Sequence, residues 1–368
     1  MATVPSEINA LETLYQASQA RLGITAAYIA MIEWDTVSAI NYIGTSAAWM
    51  TRAIRVIAAI RRKSRDLAVS YYQLSRGLQT GETLGAPEGA PGGARATTLG
   101  DLRKAFLDNV QEIADLGTGK VTSNDPDLRW LQHQVNDRQV EALDEFRTVS
   151  LSDTDLSDSI KDFERNRSTT DNTKIDVKKF QWPDAWTSAE VDEAFRDLLR
   201  KQAVEKANKA AQAIRKNGSL TPEEVIKQLD DAHEKSGSVA SGIVDQAATQ
   251  AANDVIDFAV EKDKRAKRWA RKTSGDPCSF CAMLASRGFV YKSEASAGFK
   301  AHPNCHCTAV VRFDTKTELP ELNAYFKSQW PIVTKGYSGN DALNAWRRWI
   351  YAQRKKNGTS GLEVAQVA

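Results

Sequence analysis

The chain has 368 residues, of which 42% are hydrophobic and 26% are charged. This balance excludes a disordered chain and is typical of a soluble globular protein with two or three domains. The net charge is only +2, so it indicates no class of partner, and local charge runs are more informative. We find neither the roughly 18 consecutive apolar residues of a membrane helix nor a secretory signal. We therefore expect an intracellular product.

Residues 1–84 are predicted to form a helical N-terminal region. Apolar residues recur at helical spacing in Glu7–Leu22 and again over about Ala47–Leu78. The basic residues within the second pattern are Arg52, Arg55, Arg61, Arg62, Lys63 and Arg65. The simpler interpretation is an amphipathic helix with a solvated basic side, and the alternative is a surface for an acidic partner or nucleic acid.

A change of composition separates this region from a central helical region, predicted over residues 99–235. The Gly- and Pro-rich linker, residues 85–98, contains GAPEGAPGGA, which cannot continue a helix. Helices are then predicted from Leu99 to about Leu116 and over roughly Asp127–Leu151. Thr221-Pro-Glu-Glu224 has the capping-box pattern with Pro at the first helical position, which predicts a further helix to about Lys235.

Residues 236–320 are predicted to hold a long helix and a small metal-binding module. Ser238–Arg271 is rich in Ala and has no Gly or Pro except Gly242, so it reads as one helix. Phe289–Tyr291 and Thr308–Phe313 are typical of two short strands.

A C-terminal helix, about Asn340 to Gln353, and a tail are predicted in residues 321–368. Together these patterns predict a mainly α fold, with helical N-terminal and central regions and a small α+β zinc-stabilised module near the C terminus.

The four cysteines form a CxxC pair and a CxC pair, with residues 282–304 between them. They are Cys278, Cys281, Cys305 and Cys307. In a reducing compartment clustered cysteines more often bind metal than form disulfides, and two returning pairs supply four sulfur ligands to a structural zinc ion. His302 is the alternative fourth ligand in place of Cys307, whereas His306 would tend to point away. Disulfides and a catalytic metal remain alternatives, although a full sulfur shell argues against catalysis.

The same residues carry a family resemblance. In Arg265–Phe313 a basic run leads into DPCxxC, a Gly and a short strand, and then HPNCHC with an apolar strand. This arrangement resembles the C-terminal module of phage head-morphogenesis proteins, the MuF-like minor capsid proteins encoded beside the portal. With AVSYYQLSRGLQTGETL at Ala68–Leu84, the chain is most similar to the minor capsid proteins of actinobacterial phages. His306 stands where the pattern commonly has Arg.

The resemblance implies a virion protein, made in the host cytoplasm and placed inside the head or at the portal vertex. It implies as partners the portal protein and other capsid or scaffold proteins during procapsid assembly, and it includes DNA as a further partner in packaging or ejection. Proteins of this kind are often labelled capsid maturation proteases. No GxSxG motif is present, and His133 and His233 are more typical of structural residues, so we assign no catalytic residue and keep proteolysis as an alternative function.

Residues 262–272, KDKRAKRWARK, contain seven basic residues and one acidic residue, a local charge of +6. The predicted contact residues for nucleic acid or an acidic partner are Lys262, Lys264, Arg265, Lys267, Arg268, Trp269, Arg271 and Lys272. Phosphate contacts need such charges, and an indole offers a stacking face. The alternative is a solvated helix end with cations placed well against its dipole. A zinc-stabilised DNA-binding protein is therefore a third candidate function.

Overall fold

A computed structural model describes residues 3–85, 97–116, 126, 129–131, 156–183, 189–273, 277–291, 306–314 and 318–357. The helices are α1 (Val4–Trp34), α2 (Tyr42–Thr80), α3 (Leu99–Asp115), α4 (Leu156–Arg165), α5 (Ala189–Leu199), α6 (Glu205–Lys216), α7 (Pro222–Lys262), α8 (Ser279–Ala285), α9 (Glu321–Val333) and α10 (Gly339–Asn357). The strands are β1 (Glu82–Leu84), β2 (Asp176–Lys178), β3 (Arg268–Lys272) and β4 (Thr308–Arg312), and a π-helical turn, Arg200–Val204, joins α5 to α6. Within this part of the chain, no helix combines the length and apolar character needed to cross a bilayer.

The fold is mainly α, as predicted, and three long helices form its centre. Helices α1, α2 and α7 pack on one another, with α3 against α2. Helix α7 faces its neighbours largely through alanines, including Ala247, Ala251 and Ala259, all fully buried. Small side chains let helix axes approach closely, so an Ala-rich helix suits the middle of this packing.

Local signals place several helix ends where the sequence predicts them. The Thr221 hydroxyl accepts the Glu224 N–H in a capping box, and Pro222 occupies the first turn of α7. Helix α2 ends at Gly81, whose φ of 70° is left-handed. Such a conformation costs glycine least, because it has no Cβ to clash with the preceding carbonyl. The predicted helix over 127–151 lies almost wholly outside the described residues.

The predicted solvated basic side of α2 is wrong for two of its six residues; of the others, Arg55 is exposed and three are half-buried. Arg61 and Lys63 are buried. Arg61 Nη1 lies 3.3 Å from Asp192 of α5, and Lys63 pairs with Glu112 of α3. These charges join α2 to its neighbours, because a buried cation needs a counter-ion. The sequence shows the charge of α2 but not the elements that neutralise it.

The predicted helix over Ser238–Arg271 is also wrong at both ends. Helix α7 is already formed at Pro222, and it stops at Lys262. There the buried Asp263 accepts hydrogen bonds from Tyr72 Oη at 3.0 Å and Arg76 Nε at 2.8 Å. Because α2 holds this carboxylate, the chain turns, and the following residues form β3 instead of helix.

Strand β3 supplies the partner that the sequence did not predict for β4. The two strands are antiparallel, with Arg268 opposite Arg312 and Lys272 opposite Thr308. Of the predicted strand Phe289–Tyr291, only Tyr291 pairs, through an isolated bridge to Trp269. Elsewhere, β1 and β2 form a parallel pair. We call the β3–β4 pair the C-terminal hairpin sheet.

His233 lies within α7 and contacts aromatic residues of the first two helices. Its Nδ1 lies 3.1 Å from the Tyr42 hydroxyl, and its ring stacks on Trp34 with centroids 5.5 Å apart. Burial lowers the pKa of His233, and the opposing effect of Asp35 and Asp230 is smaller. The neutral imidazole is therefore the form that the fold favours.

A lowered histidine pKa predicts a loss of stability in mild acid. The unfolded chain takes up the proton more readily, so stability is fully present above the unfolded pKa of about 6.5 and declines as pH falls through the folded value. We expect the free energy of unfolding to fall more between pH 7.5 and 5.5 in the wild type than in His233→Gln. Urea titrations at both pH values measure this difference, and equal pH dependence in the two proteins would contradict it.

Candidate metal centre and its attachment to the helices

The register of the hairpin sheet places Cys307 near the end of β3, which leads to the CxxC segment. Lys272 is opposite Thr308, so Cys307, which immediately precedes Thr308, lies near the point where β3 ends. The CxxC segment follows β3 after a short connection, and Cys278 is the N-cap residue of α8.

The described sulfur atoms accept hydrogen bonds that suit a thiolate. Cys278 Sγ accepts the Cys281 backbone N–H at 3.3 Å, and Cys281 Sγ accepts a bond from Arg271 Nη1 at 3.3 Å. Arg271 is buried. A nearby guanidinium favours deprotonation of a thiol, and thiolates are the form that binds zinc. These two contacts are compatible with Cys278 and Cys281 as zinc ligands.

The described residues include only part of the predicted ligand set. Two of the predicted ligands, Cys305 and His302, lie outside the described residues. Among the residues that the structure does describe, no group of three or more His, Cys, Asp or Glu side chains is placed to hold a metal ion. The zinc site, and the choice between Cys307 and His302 as fourth ligand, stay predictions.

His306, between the last two cysteines, is directed to α7. Its Nε2 lies 3.0 Å from Oδ1 of Asp245, a buried carboxylate. The backbone closes in on this pair from the other side, because a Cβ placed on Gly23 of α1 would lie 2.0 Å from Asp245 Oδ1. A larger side chain at position 23 would therefore displace the Asp245 carboxylate.

The close approach at Gly23 yields a testable prediction. Gly23→Ala should push Asp245 away from His306 and lower the free energy of unfolding by about 1–3 kcal/mol, the usual cost of overpacking. Alanine otherwise favours a helix by about 1 kcal/mol over glycine, so a stabilised variant would contradict the contact. Thermal and urea unfolding measure the effect. Gly218→Ala is the control, because nothing lies within 4 Å of its added Cβ.

Asp245 belongs to a row of buried polar residues along α7. They occur at every fourth position and are Ser241, Asp245, Thr249, Asn253 and Asp257. Residues four apart lie near one another on a helix, and the last two members of this row contact the hairpin sheet. Asn253 Oδ1 accepts the Ala309 N–H at 2.9 Å, and Asp257 Oδ1 accepts the Trp269 Nε1–H at 3.2 Å.

Buried polar groups require partners, so Asn253 and Asp257 favour one position of the hairpin sheet on α7 over shifted ones. The signal is visible in the sequence as polar residues at a four-residue spacing within an Ala-rich helix. This polar row was not predicted.

Helices α1 and α2 hold the same sheet. Arg312 of β4 pairs with Glu12 of α1, and its guanidinium lies over the Phe289 ring, 4.4 Å from the centroid. The Val311 N–H donates to Tyr71 Oη at 3.2 Å. The hairpin sheet is therefore attached to all three long helices.

The predicted nucleic-acid contact residues divide by exposure. Trp269 and Arg271 are buried, and the Trp269 ring packs on Tyr291 with centroids 4.7 Å apart, so it offers no face for a base. Lys272, half-buried, donates to Thr13 Oγ1 at 2.9 Å. The exposed members are Lys262, Lys264, Arg265, Lys267 and Arg268. The turn after α7 therefore carries an exposed basic surface, but Trp269 is not part of it.

Comparison with known proteins places part of this region in context. Residues 177–330 match the family model described as VG15 protein, and this match suggests a phage-encoded protein. The matched segment runs from β2 into α9 and includes the whole cysteine cluster, but it is less than half of the chain. No curated protein and no solved structure matches.

Proposed function

We propose that the protein is a phage minor capsid protein that acts with the portal in procapsid assembly. The observation that carries this proposal is the VG15 match over residues 177–330, which overlaps the segment Arg265–Phe313 that resembles MuF-like proteins. The attachment of the cysteine-bearing module to α1, α2 and α7 suits a rigid structural component.

In this proposal the metal is structural zinc. Cys278, Cys281, Cys305 and Cys307 hold it, with His302 as the alternative to Cys307. The ion would tie the CxxC turn to the start of β4, in addition to the packing of the hairpin sheet on α1, α2 and α7. The partners are the portal and other capsid or scaffold proteins, and DNA is a further one. The protein would be located in the virion, inside the head or at the portal vertex.

Two alternative functions are a DNA-binding protein and a capsid maturation protease. A zinc-stabilised DNA-binding protein is favoured by the five exposed basic residues at 262–268. A capsid maturation protease draws only on the label that such phage proteins carry. The described histidines contact Tyr42 and Asp245, in arrangements that serve packing, while His133 lies outside the described residues.

Particle composition tests the proposal. Mass spectrometry of purified procapsids and mature particles should detect the chain in low copy number, and it should co-purify with portal rings expressed beside it. The protease alternative predicts a shortened major capsid protein on co-expression. Absence from particles together with tight, salt-sensitive DNA binding would favour the DNA-binding alternative instead.

A further inference from the structure

The last two helices form a small unit of their own against α8. Helices α9 and α10 contact mainly α8 and each other, and Phe326, Trp346 and Ile350 are buried in this second cluster. Trp346 Nε1 donates to the Ser279 carbonyl at 3.0 Å. Asn323 Nδ2 donates to the carbonyls of Arg271 and Ala285 at 2.8 and 3.0 Å. One side of α10 is thereby fixed inward.

The opposite side of α10 is exposed and both basic and apolar. We call it the C-terminal face, and it consists of Leu343, Arg347, Arg348, Tyr351 and Lys355. Leu343 is 38% exposed and Tyr351 66%. Leu343, Arg347, Tyr351 and Lys355 follow one another at four-residue spacing. At 1.5 Å per residue they extend over about 18 Å of the helix. Arg348 and Lys355 form no ion pair with any residue of the described part of the chain.

Composition and charge indicate what would cover this face. Residues 321–357 hold seven basic and two acidic residues, a net charge of +5, and Tyr337 and Tyr351 are exposed. Tyrosine and arginine are the side chains that protein interfaces favour. Ile332, on the neighbouring helix, is also 66% exposed. Nucleic acid would use the charges but leave these apolar groups in water, so a protein with carboxylates fits better.

We propose that the C-terminal face is a docking surface for an acidic amphipathic helix of a partner protein. Its apolar residues would cover Leu343 and Tyr351, and its carboxylates would face Arg347, Arg348 and Lys355. This is the helix-on-helix mode of recognition, in which apolar residues three or four apart anchor the partner. This inference rests on the proposed function only in one respect, namely that the partner would be a component of the phage head.

The test uses the full chain and three fluorescent probes of defined chemistry. They are a helical peptide of about 20 residues with a Leu face and Glu elsewhere, the same peptide with Lys for Glu, and a duplex DNA of similar length. We expect the acidic peptide to bind and the basic peptide not to bind. The double variant Arg347→Glu/Arg348→Glu should weaken binding at least about tenfold, and Tyr351→Ala by about threefold or more.

A matched control separates this face from general charge. Lys264→Glu/Lys267→Glu makes the same charge change on the other exposed basic segment and should alter acidic-peptide affinity less than about twofold. All changed side chains are exposed, so circular dichroism and melting temperature should match the wild type and confirm that each variant is folded.

Three results would overturn the proposal. Equal peptide binding by wild type and the Arg347/Arg348 variant would place the site elsewhere. DNA binding through these arginines, with no binding of the acidic peptide, would make the face a nucleic-acid surface. Self-association that the variant abolishes would make a second copy of the chain the occupant. Particle composition is measured separately, so a chain found in particles but lacking this docking behaviour would retain the proposed function and lose only this inference.

Discussion

Replacing Glu12 with leucine while Arg312 remains is expected to lower the free energy of unfolding by about 3–5 kcal/mol. Both side chains are almost completely buried, with 0% and 2% exposed. Burial lowers the pKa of Arg312 to about 10, with Asp314 partly opposing the shift. The guanidinium is therefore still protonated at neutral pH, and the variant would leave a buried cation without its carboxylate.

The double variant Glu12→Leu/Arg312→Met is expected to recover most of that loss, because removing both charges removes the desolvation penalty with the attraction. Urea unfolding of the wild type, the two single variants and the double variant measures the coupling. Asp108→Leu is the control, since Asp108 pairs with Lys104 on the surface of α3 and exposed pairs contribute at most about 1 kcal/mol. Additive single effects would show that the pair is not coupled.

The purified full-length protein is expected to contain about one zinc ion per chain, and Cys281→Ser is expected to lose it. Without the ion, the hydrogen bonds of Cys278 and Cys281 cannot by themselves fix the CxxC turn. Helix α8 would loosen, and α9 and α10, which pack on it, would lose their support. We expect the melting temperature to fall and amide exchange to rise in α8, α9 and α10. Metal analysis, thiol titration and hydrogen exchange measure these effects.

Variants at two further positions assign the fourth ligand. Cys307→Ser should lose zinc and His302→Ala should retain it, and the reverse result would assign His302. Met283→Leu is the control for packing changes in α8, because it conserves volume without touching a ligand. A wild-type protein with no metal and reactive thiols would exclude the structural zinc and return a cysteine nucleophile, and so proteolysis, to consideration.

Much of the helical framework could be predicted because its signals are local. The capping box at Thr221 and the helix beginning at Leu99 depend on residues within one turn. Strand β4 is short, apolar and β-branched, and it was predicted almost to the residue. Its partner β3 was missed because its basic residues continue the pattern of α7. The buried Asp263, held by Tyr72 and Arg76 of α2, ends that helix.

The candidate site divides in a similar way. The cysteine spacing alone predicts the structural zinc site, and the register of β3 and β4 is compatible with that prediction. The aromatic member of the basic run was placed on the surface, but Trp269 is buried against Asp257 and Tyr291. In the sequence, a tryptophan among basic residues is typical of a stacking residue. Only the position of α7 shows that Trp269 is buried.

The sequence by itself therefore determined the helical class, the helix starts at Leu99 and Pro222, and the clustering of the cysteines along the chain. Each of these depends on residues close in the chain, or on a spacing that can be read directly. The tertiary structure alone decided which charges are buried, which segment pairs with β4 and where His306 points. These depend on partners far away in sequence: Glu12 and Arg312 are 300 residues apart, and Asp245 and His306 are 61 apart. Burial changes the cost of a charge by several kcal/mol, and no local pattern records which charges the fold will bury.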